Sequence, residues 1–296
     1  MSSASVRTAT AIAALFAFNL VAGPAGAWPF GAAKPAAPPA AAAATSAKAN
    51  TAAPATPPRP SPRKASAEQR AVANRLDLLA RSAFWAKEVD IDPTDVDAGV
   101  QFATVMRLMG RNTEAADASQ KVLIIDPNNV DALLESARDS IALNKGFYAL
   151  EPLKRAMALA PRDWRPVSLM GIAREQNQQS DEAHAAYLQA LALSPDNPAV
   201  LSNLALWCAT HHDRAQAETL LRRAVAQPGA TAVERQNLAL VLGMEGKLAD
   251  AEHIMRDDLP PEVANNNLSY LKAVAGGPRW PAGPRPPSPT LGRGSG

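Results

Sequence analysis

A chain of 296 residues with 30 Lys and Arg against 28 Asp and Glu has a formal charge of only +2, and 47% of it is apolar. That balance supplies a core but not the basic surface of a nucleic-acid binder, and a single cysteine, Cys208, excludes an intramolecular disulfide. The charge is unevenly placed: every acidic residue lies between Ser66 and Ala275, leaving that body about 7 negative, while the flanking stretches hold only cations.

In chain order, residues 1–27 carry Arg7, an apolar run from Ala9 to Ala22, a Gly23-Pro24 break and the small residues Ala25-Gly26-Ala27. This is the order of parts in a secretory signal peptide cleaved after Ala27, giving a soluble mature protein that begins at Trp28 and lies in the periplasm. The run is short for a membrane span, and no cysteine follows it to accept a lipid. Residues 28–65 hold nine prolines, five cations and no carboxylate, the composition of a disordered, semi-stiff linker. Residues 276–296 form a second tail of the same kind, with Arg279, Arg285 and Arg293. Such basic arms favour solubility and spacing, or peripheral contact with an anionic membrane or cell wall.

The body, residues 66–275, opens with the periodic apolar residues Val72, Leu76, Leu79 and Phe84-Trp85, which predict a helix capping the first repeat. Then a spacing of thirty-four takes over. Pro93, Pro127, Pro161 and Pro195 keep it, as do Ala115, Ala149, Ala183, Ala217 and Ala251. Ala103, Ala137, Gly171, Ala205 and Ala239 form a third series. Small residues in two such series allow two antiparallel helices to cross closely, and each proline ends a helix it cannot continue. Leu133, Val167, Leu201, Leu153, Tyr187, Leu221 and Met255 fill the space beside the crossings. Asn197-Pro198 is a helix start, with Asn as N-cap and Pro in the first turn. The period is that of tetratricopeptide (TPR) units. Five repeats are expected, near 96–129, 130–163, 164–197, 198–231 and 232–263, with a closing helix over 264–275. The fold class is all-α, a right-handed superhelical solenoid.

Two clusters invite a metal. Asp90, Asp92, Asp95 and Asp97 resemble a calcium loop, but Asp95 stands where Gly is needed and Gln101 where Glu is needed; helix caps and a turn are the simpler reading. Cys208, His211 and His212 have ligand chemistry, yet Cys208 falls on an interior position and the histidines in an inter-helix turn. No metal, cofactor or catalytic machinery is expected. A TPR array instead offers a groove lined by its first helices. Asn203 and Asn237 recur one repeat apart in the identical words NLAL, and Asn267 opens a third word, NLSY. A ladder of amides would hold an extended peptide by its backbone; the alternative is a set of solvated groove residues. Arg138, Arg165, Glu175 and Gln236 complete the expected groove.

Asp163-Trp164-Arg165, Ser168-Leu169-Met170-Gly171 and Pro195-Asp196-Asn197-Pro198 make the chain resemble TadD, a TPR family of the tight-adherence (Flp) pilus assembly system. The match continues through Leu201–Ala205, Arg235–Gly243 and Asp258-Leu259-Pro260, and covers roughly residues 66–275. The resemblance implies a non-enzymatic, outer-membrane-associated adaptor that supports assembly or stability of the pilus secretin. Members are typically lipoproteins, so the missing cysteine is a departure that leaves the basic linker as a possible substitute for the lipid anchor. A TPR scaffold for cell-envelope or peptidoglycan enzymes is an alternative, and a regulatory subunit of an enzyme such as a glycosyltransferase is one of another class.

Overall fold

The computed structural model describes residues 63–275, so the expected signal peptide, most of the linker and the C-terminal tail lie outside the described residues. These residues form thirteen helices. A cap of α1 (Ala67–Ala73) and α2 (Leu78–Ile91) comes first. Five helix pairs follow: α3 (Val96–Leu108) with α4 (Asn112–Ile125), α5 (Val130–Ala142) with α6 (Gly146–Leu159), and α7 (Trp164–Gln176) with α8 (Ser180–Leu193). The last two pairs are α9 (Pro198–Thr210) with α10 (Arg214–Val225) and α11 (Ala232–Met244) with α12 (Leu248–Asp258), and α13 (Pro261–Ala275) closes the array.

Each boundary has a chemical cause that repeats. Asp95, Asn129, Asp163 and Asn197, thirty-four apart, are the N-caps of α3, α5, α7 and α9, and each side chain accepts a hydrogen bond from a backbone N–H of the first turn. Thr231 and Glu234 form a capping box at the start of α11. Four of the second helices, α4, α6, α8 and α12, have no side-chain cap. They begin directly out of a Schellman turn. In it the backbone N–H of Arg111, Lys145, Gln179, Asp213 or Lys247 reaches back to the carbonyl of Met106, Ser140, Arg174, Cys208 or Leu242, at 2.8–2.9 Å. The residue before that donor is left-handed in all five: Gly110, Asn144, Gln178, His212 and Gly246, with φ of 55° to 83°.

Packing follows the small-residue series. Ala103, Ala137, Ala205 and Ala239 on the first helices, and Ala115, Ala149, Ala183, Ala217 and Ala251 on the second, are all fully buried. In the third repeat the crossing residue is Gly171, where a Cβ would lie 2.4 Å from Cε1 of Tyr187. Gly171 is therefore the counterpart of the one aromatic residue in the series Leu153, Tyr187, Leu221, Met255. Successive first helices, α3 to α13, also touch one another, while successive second helices make no comparable contact. The first helices thus line the inner, concave side of the solenoid and the second helices lie outside.

The N-terminal cap differs from the expectation. Asn74 ends α1 and Asp77 starts α2, so the segment is two helices and not one, and Val72, Leu76 and Leu79 are 56%, 44% and 71% exposed. What fixes it is Trp85, fully buried, with its indole N–H donating to Asn74 Oδ1 at 3.1 Å.

Candidate protein-binding face

A first helix makes a turn in 3.6 residues, so the residue after each crossing position points about a quarter-turn away from the second helix, toward the concave side. Those residues are Thr104, Arg138, Ile172, Leu206 and Leu240. Positions on the same face include Asp97, Asp131, Arg165 and Glu175 in the first three repeats. In the last two they include Ala199, Ala209, Val233 and Met244. At the position after the crossing the side chains pass from Thr104 and Arg138 to Ile172, Leu206 and Leu240, the last three being buried, so the accessible charged residues of the inner face lie in the first three repeats.

Its charged half is internally paired. Glu135 is buried and accepts from Arg107 Nε at 2.8 Å on the preceding first helix and from Arg138 Nη1 at 2.6 Å on its own. Burial opposes its ionisation, but the two guanidinium groups win and hold its carboxyl below the ordinary range. Arg165 bridges repeats as well, donating to Asp131 at 3.0 Å and to Asp163, its own helix cap, at 2.9 Å. One turn from Glu135 lies Asp139, fully buried, with Oδ2 3.4 Å from Ser119 Oγ and Oδ1 without a hydrogen-bond partner among the described residues. Burial and then the neighbouring Glu135 charge push Asp139 up to about 7.

The asparagines are where the structure corrects the sequence reading. Asn203 and Asn237 are 9% and 1% exposed, not solvated, and each Nδ2 donates to a serine on the preceding first helix. Asn203 reaches Ser168 Oγ at 2.9 Å, and Asn237 reaches Ser202 Oγ at 2.8 Å. They form a ladder, but one that ties repeat to repeat along the seam between first helices. Asn267 is buried on α13 and has no serine partner; its Nδ2 is without a hydrogen-bond partner among the described residues. Gln236 is also buried, at 8% exposure. Of the seven expected groove residues, Arg138, Arg165 and Glu175 remain partly accessible. The recurring word was legible; the serine thirty-five residues earlier was the missed half of the signal.

Sequence reasoning also missed a polar knot at the turn edge. The Trp207 indole is sandwiched between His184 and His211, with ring centroids at 3.9 and 4.2 Å. Its N–H donates to Glu175 at 3.0 Å, and Ser180 Oγ lies 2.6 Å from Glu175 and 2.5 Å from His211 Nε2. Burial and then His211 lower the His184 pKa, which suits a neutral stacking ring. The carboxylate here binds serine and indole, not histidine, and His211 Nδ1 meets the Trp207 carbonyl at 2.9 Å. The group locks α7, α8 and α9 together. Cys208, beside it, is 1% exposed, and burial pushes its thiol up to about 12.

The aspartate cluster is filled by the chain's own cations. Lys64 Nζ lies 2.5 Å from Asp92 and 3.2 Å from Asp95, while Arg70 meets Glu88, Asp95 and Asp97 at 2.9, 2.7 and 3.0 Å. The Lys64 bond holds Asp92 down at about 2. The end of the expected free linker is thus fixed to the body, with the Ala65 N–H donating to both Glu88 oxygens. Among the described residues no group of His, Cys, Asp or Glu is placed to hold a metal, and no helix is long and apolar enough to cross a membrane.

Comparison with known proteins gives the same architecture. No family model matches the sequence, and no curated protein does. Among solved structures, TTC0263, a thermophilic TPR protein of Thermus thermophilus, is similar at 22% identity and TM-score 0.53, covering 59% of this chain and 94% of that one. The fold is a TPR solenoid. A tetratricopeptide repeat protein from Parabacteroides merdae aligns with TM-score 0.52 at 15% identity, over 70% of this chain and 85% of its own. A chain of the APC/C hetero-tetramer Cut9-Hcn1 aligns with TM-score 0.56 at 18% identity, over 67% of this chain and 39% of its own.

Proposed function

We propose that this protein is a non-catalytic TPR adaptor, exported to the periplasm, that holds an extended partner segment on its concave face and serves assembly or stability of the tight-adherence pilus machinery, with the secretin as partner. The observation that carries the binding role is the row of partly accessible charged side chains on the inner faces of the first helices, Arg138, Arg165 and Glu175, which an extended segment could meet along its length. The compartment rests on the leader-like residues 1–27, and the pilus role on the words from Asp163 to Pro260.

The test titrates the full mature chain with secretin-derived peptides and uses Arg165→Gln, because Arg165 is partly accessible on the inner face and the amide removes its charge without setting a carboxylate beside Asp131 and Asp163. Expected are at least about tenfold weaker binding, with a loss of melting temperature no larger than that of Asp131→Asn, which breaks the same bridge between repeats, together with loss of secretin multimers in cells. Parent-like multimers and no affinity for any secretin peptide would overturn the assignment of the partner.

A further inference from the structure

The outer side of the array holds a cleft between the second helices α6 and α8, floored by the first helix α7. Its volume is about 390 Å³, and Lys154 and Met157 of α6, Met170 and Arg174 of α7, and Glu182 and Ala186 of α8 line it. Repeat register explains the opening. The counterparts of Ala186 in the fourth and fifth repeats are Leu220 and Ile254, which pack against the core. Alanine leaves the same space open. The counterparts of Arg174 in the first, fourth and fifth repeats are Met106, Cys208 and Leu242, each 1% exposed. A guanidinium thus stands where those repeats seat an interior side chain. Its ion pair to Glu182 is 3.9 Å long, and the Glu182 side chain is 53% exposed. At that distance the pair is not a hydrogen bond, and beside solvent it contributes little. Lys154 is held as loosely, 4.0 Å from Glu151, with its side chain 62% exposed.

We propose that this cleft is a second docking site, on the convex face, for an acidic segment of a protein partner: an apolar side chain seats over Met157 and Met170, and a carboxylate meets Arg174. The planar fork of arginine matches a carboxylate bidentately, a stronger contact than its long pair with Glu182. Spacing fits an extended chain. Met170 and Arg174 are four residues apart on α7, about 6 Å of helical rise, and alternate side chains of an extended peptide are about 6.6 Å apart on one face. An apolar residue with an acidic residue two positions on therefore matches the floor. The methionines adapt to more than one apolar shape. Surface beyond the cleft argues for a segment over a small carboxylate: Phe147, 70% exposed, lies on the same stripe of α6 as Lys154, two turns and about 10 Å before it. The second helices lie outside the solenoid, so this site stands independently of the concave-face reading.

The test titrates the full chain with a fluorescent, end-blocked peptide, Ser-Leu-Ser-Glu-Ser-Leu-Ser, and with its analogue carrying Gln in place of Glu. Expected is at least about tenfold tighter binding of the glutamate peptide. Arg174→Met, the residue type of the first repeat, should abolish that preference. Ala186→Leu, the residue type of the fourth, should weaken both peptides by about tenfold. Neither variant should melt below the parent, since each restores what other repeats carry; should Ala186→Leu destabilise, Arg174→Met alone decides. Arg165→Gln should leave binding of the probe unchanged, which separates this site from the concave one. No binding of the glutamate peptide up to about 1 mM, equal binding of the two peptides, or parent-like binding by both variants would overturn the proposal. Loss of binding with Arg165→Gln and not with Arg174→Met would place the acidic segment on the concave face and overturn it as well.

Discussion

At the scale of single residues, Asp139 is a fully buried carboxyl with one oxygen lacking a hydrogen-bond partner among the described residues. A protonated carboxyl there can donate to Ser119 Oγ, whose own hydrogen goes to the Ala116 carbonyl at 3.0 Å, whereas the ionised form leaves a buried charge beside Glu135. Its folded pKa, about 7, lies above the unfolded value of about 3.9. The folded state therefore holds the proton more tightly, and the stabilisation is fully present below the unfolded pKa and lost as pH rises through 7. Asp139→Asn should stabilise the protein at pH 8 by about 1–3 kcal/mol and by clearly less at pH 5, where part of the proton-linked stability remains, measured by urea unfolding at both. Asn203 behaves oppositely. Asn203→Ala strands the Ser168 hydroxyl and should cost about 1–3 kcal/mol, lowering the melting temperature by about 3–8 °C. With Ser168→Ala added, the loss should be smaller than the sum of the singles. The asparagine words were visible in the sequence, but their burial was not, because it depends on which helix leans on the seam and periodicity alone cannot say so.

For helices and turns, the thirty-four-residue spacing carried nearly all the information. Ala183 and Gly171 could be placed at a crossing because only small residues permit one, and Pro161 could be read as an end because proline cannot continue a helix. The left-handed turn position was less legible, since Gly110, Asn144, Gln178, His212 and Gly246 share a conformation and not a residue type. Gln178 and His212 are exposed and bear the steric cost of φ above 60° without compensation. Gln178→Gly and His212→Gly should each stabilise by about 0.5–1 kcal/mol. Asn144→Gly should gain less, because asparagine tolerates this region. Thermal unfolding of the three variants checks the order; equal effects would mean that the turns are not strained.

Across the whole molecule, helices in substantial contact are never more than two apart in the chain, so stability is transmitted only from neighbour to neighbour. Overpacking the middle should then divide the array. Ala183→Leu, at a cost of about 1–3 kcal/mol, should split urea unfolding into two transitions, whereas Ala251→Leu at the far end should fray only the last helices. A single transition of parental steepness for Ala183→Leu would show that the solenoid unfolds as one unit. The junction at Lys64 adds a mechanical property to this chain of neighbours. Tension applied to the N-terminal segment is carried first by the Lys64 and Ala65 contacts to Asp92, Asp95 and Glu88, which anchor the segment to the end of α2 and the start of α3. Only when these part does α1 feel the pull. The Lys64 pair is accessible to ions and is weakened by salt, so the ionic strength of the surroundings sets the force at which the segment begins to peel and lengthen.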